Sequence, residues 1–68
     1  MDVKTTSSGG MVVTVDGYRF TVSAGRPYFI IRENGRVLSD RCRTVNQVLG
    51  WIDQVAIDRA KKDSFVVN

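Results

Sequence analysis

The sequence predicts an α+β fold: a four-stranded antiparallel β-meander, made of two hairpins, packed against one C-terminal α-helix. Three observations predict it. Asp16-Gly17 and Asn34-Gly35 each interrupt a run of alternating apolar residues, and both pairs suit a two-residue turn with positive φ at both central positions. After Thr44 the apolar spacing changes from two to 3.6 residues. A sheet with one apolar face and a helix with one apolar stripe bury each other as two layers.

Residues 1–10, "MDVKTTSSGG", are small and polar and end in two glycines. They read as a flexible N-terminal tail. The domain itself is expected over residues 11–63. In "MVVTVDGYRFTVS" a turn at Asp16-Gly17 sets Val15 opposite Tyr18, Val13 opposite Phe20 and Met11 opposite Val22. Those six side chains share one face. Val12, Thr14, Arg19, Thr21 and Ser23 share the other. "AGRP" follows as a turn, with Pro27 held to the start of the next strand. "YFIIRENGRVLS" repeats the device. Glu33 then faces Arg36, Arg32 faces Val37, and Ile31 faces Leu38. Phe29, Ile31 and Leu38 take the core side; Tyr28, Ile30, Arg32 and Val37 take the outer side.

"DRCR" reads as a loop leading to the helix. Thr44 and Gln47 have the spacing of a capping box. The helix is expected from Val45 to about Lys62. Val45, Val48, Leu49, Ile52, Ala56 and Ala60 form its stripe, with Val55 at the margin. Trp51 falls beside the stripe and is expected at the sheet edge, its indole N–H toward water. Gly50 and Ile57 fall on the back of the helix, a place for close packing or for the approach of another chain. Residues 64–68 read as a C-terminal tail or a short extra strand.

The chain has 68 residues, one cysteine and no histidine. A single small domain follows, with no internal disulfide and no zinc site of the Cys/His type. The lone thiol fits a reducing compartment, so cytoplasmic localisation is expected. No apolar run approaches the ~20 residues of a membrane span, and the first ten residues lack the apolar core of a signal peptide. No phosphate loop, metal motif or cofactor fingerprint stands in the sequence. Without histidine, and with no base beside Ser or Cys, the chain is expected not to be an enzyme. Cys42 reads as a bystander in the loop.

The charge is uneven. Overall it is +3. Between Tyr18 and Arg43 six arginines stand against Glu33 and Asp40, a net +4 with no lysine. Arginine is the cation of flat, bidentate contacts to carboxylate and phosphate. The candidate binding residues are therefore Arg19, Arg26, Tyr28, Ile30, Arg32, Arg41 and Arg43. They suggest a small protein-binding regulator or inhibitor, of the kind phages and mobile elements encode, that meets an acidic partner surface. The alternative is a nucleic-acid-binding domain that reads DNA or RNA with its sheet. A homodimer joined through an edge strand or "SFVV" is a further arrangement.

The layout of residues 28–60 resembles the plant ethylene-response-factor domain and the arm-binding domain of tyrosine recombinases. "YFIIRENGRVLS", a short link and a Thr-capped helix match in order and spacing. The resemblance implies a sheet that enters the major groove, with Arg19, Arg26 and Arg32 as groove contacts. Gln47-Val48-Leu49 stands where those families carry an acidic residue and small alanines.

Overall fold

A computed structural model describes residues 1–64, with side chains through Lys62. The strands are β1 (Asp2–Thr5), β2 (Met11–Val15), β3 (Tyr18–Ser23), β4 (Phe29–Glu33) and β5 (Arg36–Cys42), followed by helix α1 (Val45–Ser64). The strands form one antiparallel sheet in sequence order. The chain is thus α+β as expected, with five strands rather than four. The tail or strand expected at 64–68 lies outside the described residues, except for Ser64, which ends α1.

Both tight turns adopt the predicted geometry. Asp16 and Gly17 have φ of 51° and 82°, and Asn34 and Gly35 have 53° and 79°. This handedness matches the twist of the flanking strands and fixes their register. Val15, Val13 and Met11 pair with Tyr18, Phe20 and Val22, as the alternation requires.

The extra strand is β1, in the stretch expected to be a tail. A loop over Thr6–Gly10 folds it back onto β2. The Thr6 N–H donates to the Gly10 carbonyl at 2.9 Å and the Gly9 N–H to the Thr6 carbonyl at 3.2 Å. The Gly10 N–H also donates to Thr6 Oγ1 at 3.1 Å. All four β1 residues are exposed, so this strand leaves no burial pattern in the sequence. Backbone pairing and the loop hold it. Lys4 on this short edge strand discourages pairing with further chains.

The second hairpin departs from the simple register. Glu33 faces Arg36 and Arg32 faces Val37, but Ile31 faces Ser39 and Phe29 faces Cys42. The expected pairing of Ile31 with Leu38 is therefore corrected. From Arg32 to Phe29 β4 advances three residues, while β5 advances five from Val37 to Cys42. Extra residues in one strand are bulges, which bend the strand and re-aim its side chains. Because of them β5 runs through Asp40, Arg41 and Cys42, which were expected in a loop. Cys42 turns inward and is 6% exposed, so it is a small core residue.

The core joins Met11, Val13, Phe20, Val22, Ile31 and Cys42 of the sheet to Val48, Ile52 and Ala56 of α1. Leu49, Trp51 and Val55 pack at its margin; Trp51 thus sits at the core edge, as expected. The ends of the stripe differ from expectation. Val45 is 46% exposed, being the first helical residue and outside the layer contact. Ala60 is exposed too. Arg59 covers that end of the sheet instead, its guanidinium 4.4 Å from the Tyr18 ring centre and 5.6 Å from that of Phe20. A Cβ on Gly50 would meet open space, so no close packing within the chain calls for glycine there.

Candidate functional site

The face of the sheet away from α1 carries one row across all five strands. Lys4 lies beside Val12, Val12 beside Thr21, Thr21 beside Arg32, and Arg32 beside Val37. Asp2, Thr14 and Arg19 form the row on one side, and Ser23 with Ile30 the row on the other. Val37 is 50% exposed; Val12, Ile30 and Arg32 are half-buried. Arg32 is held in place, because its Nη1 donates to Ser23 Oγ at 3.1 Å. Thr21 Oγ1 donates to the Arg32 carbonyl at 3.4 Å. The central row therefore sets Val12 beside Lys4 and Val37 beside Arg32, with Thr21 between the two pairs.

The seven candidate residues fall into three places. Arg19, Ile30 and Arg32 stand on the outer face. Tyr28, Arg41 and Arg43 gather at the edge, where they line a shallow hollow with Asp40. Arg26 belongs to neither group. It is exposed in the bend between β3 and β4, before a cis peptide bond to Pro27. Tyr28 precedes β4 rather than beginning it, and the Arg43 guanidinium lies over its ring at 5.4 Å. Such a contact is worth roughly 0.5–1 kcal/mol at an exposed site.

The helix cap places Arg43. Thr44 Oγ1 accepts from the Gln47 N–H at 3.1 Å. Gln47 Oε1 accepts from the Arg43 N–H at 2.7 Å, one residue before the position a capping box would use. The first turn of α1 contains no acidic residue, so the positive helix end adds to the potential of the nearby arginines.

Two features escaped sequence reasoning. Lys4 joins the outer face only because β1 exists. The second is an ion pair between the sheet and the far end of α1. Arg59 Nη2 donates to Glu33 Oε1 at 2.7 Å and Nη1 to Oε2 at 3.0 Å. These hydrogen bonds hold the Glu33 carboxyl below its ordinary range and raise Arg59. A carboxylate with a lowered folded pKa stabilises the fold above its unfolded value, ~4.3, and loses that contribution as pH falls through the folded value. Glu33→Gln is thus expected to lose about 1 kcal/mol at pH 7. Urea unfolding at several pH values should show the gap to the parent protein closing as pH falls below the unfolded value of ~4.3. A gap independent of pH would rule out the ionic contribution.

No group of three or more His, Cys, Asp or Glu side chains able to hold a metal stands among the described residues. No described helix is long and apolar enough to cross a membrane. Comparison with protein-family models, curated proteins and solved structures found no match.

Proposed function

We propose that this chain is a non-enzymatic protein-binding regulator or inhibitor whose outer sheet face docks on a partner with an acidic surface. The observation that carries this reading is the row Lys4–Val12–Thr21–Arg32–Val37. Aliphatic side chains beside a positioned arginine resemble the make-up of protein interfaces, in which an apolar centre is bordered by polar groups and arginine is enriched. Nucleic acid would use the same cations but is less well served. Tyr18, Phe20, Phe29 and Trp51 all pack on the helix side. Tyr28 is the one exposed ring among the described residues, and the Arg43 guanidinium already lies over it at 5.4 Å, so unpaired bases find a single stacking position rather than the series of rings that single-strand binding uses.

Site-specific photo-crosslinking from Val37 and from Ile57, on opposite sides of the fold, tests the reading in the producing cell. A discrete protein adduct from position 37, resistant to nuclease and lost with Arg32→Glu, is the expected result. Adducts of equal strength from position 57 would remove the sheet face from the account. Micromolar DNA or RNA binding by the purified chain, falling steeply with salt and abolished by Arg19→Ala with Arg32→Ala, would put the nucleic-acid reading in its place.

A further inference from the structure

The outer face is small for an interface. Four gaps of about 4.8 Å between strands and about five residues at ~3.4 Å make it roughly 19 by 17 Å. A stable complex covers about 800 Å² on each partner. A partner seated on the sheet must therefore reach past its edge, and the hollow bounded by Tyr28, Asp40, Arg41 and Arg43 is beside it.

That hollow has the marks of a receptor for an anionic group. Arg41 and Arg43 are exposed, and neither pairs with a carboxylate among the described residues. Arg43 is held in position. The Arg43 backbone is tied to Gln47 and its guanidinium rests on Tyr28. Arg41 projects from the bulged end of β5, where three residue steps oppose two on β4. Two arginine forks at one concavity suit a carboxylate or phosphate. Asp40 on the same wall separates those ligands by charge. Phosphate carries about −1.5 to −2 near neutral pH, so its repulsion from Asp40 is greater than that of a singly charged carboxylate.

We propose that this hollow is a subsite for an Asp or Glu side chain on an acidic segment of the partner, with Arg41 and Arg43 as its donors and Asp40 as the residue that disfavours phosphate. The inference rests on the protein-binding reading only for who carries the carboxylate.

The test uses the full chain and two defined probes, a capped hexapeptide with a single glutamate as its one charged residue and inorganic phosphate. NMR titration follows the arginine Nε–Hε signals and the Tyr28 ring. Saturable shifts at Arg41, Arg43 and Tyr28 are expected with the peptide. Arg41→Ala and Arg43→Ala should each weaken it about tenfold or more, while Arg26→Ala leaves it unchanged. Asp40→Asn should strengthen phosphate binding more than peptide binding. Equal shifts at Arg19, Arg26 and Arg32 would reduce the hollow to general surface charge. Phosphate binding tighter than peptide in the parent protein would overturn the carboxylate assignment. Crosslinking from Val37 is read separately, so failure of the hollow and failure of the sheet face are distinguishable.

Discussion

Phe20→Ala is expected to remove roughly a third or more of the chain's stability. The Phe20 side chain is 0% exposed and is among the largest fully buried groups, with Ile31, Ile52, Val13 and Val48. Truncating a buried phenylalanine costs about 3–5 kcal/mol. A domain of this length has roughly 3–10 kcal/mol of stability in all. The loss is aggravated locally, because the Arg59 guanidinium lies 5.6 Å from the Phe20 ring centre while it binds Glu33. Circular dichroism and the fluorescence of Trp51, the one tryptophan, read the outcome during urea unfolding. Val37→Ala is the control, since Val37 is 50% exposed on the other face; it should change stability by less than about 0.5 kcal/mol. Were Phe20→Ala to cost less than about 1 kcal/mol, the sheet and helix would not meet where the structure places them.

Sequence reasoning found Phe20 because its position was fixed twice. Asp16-Gly17 fixed the register, and the alternation of Val13, Val15, Tyr18 and Val22 fixed the face. The same logic located Ile31 and Val13. It failed where burial and turn chemistry were silent. β1 buries nothing, and "SSGG" has the composition of a loose end as much as of a loop. The bulges in β5 insert residues without any proline or glycine to mark them. "DRC" therefore read as a link, although it continues the strand to a buried Cys42. At the far end of the helix, the apolar spacing favoured Ala60, whereas a cation bound to Glu33 and stacked on Tyr18 covers the sheet. Glu33 and Arg59 are 26 positions apart, and only the packing of helix on sheet brings them together.

The candidate site was legible in the same uneven way. Alternation placed Arg19, Ile30 and Arg32 on one face, because a strand offers only two. It had no means to place Tyr28 and Arg43 in contact, since each lies just outside a regular element. Their contact depends on how the chain leaves β3 and how it enters α1. The cations thus divide into a row set by strand periodicity and a hollow set by the ends of elements.

The link between β3 and β4 offers the sharpest test of that division. A Cβ on Gly25 would meet the carbonyl oxygen of Tyr28, a backbone atom with no rotamer to give way. Gly25→Ala must therefore displace the chain over residues 25–28, at an expected cost of about 1–3 kcal/mol. It should also move Tyr28 away from Arg43. The Tyr28 ring and Arg43 Nε–Hε signals should shift before any ligand is added, and binding of the glutamate peptide should weaken with them. Gly17→Ala is the matched control. Its Cβ would touch nothing within 4 Å, but its φ of 82° makes alanine cost about 1–2 kcal/mol. That variant loses comparable stability without disturbing the hollow, so it should leave both signals and peptide binding in place. If Gly25→Ala instead matches the parent in stability and signals, the hollow does not depend on this link. Tyr28 would then owe its position to Arg43 and the helix cap alone.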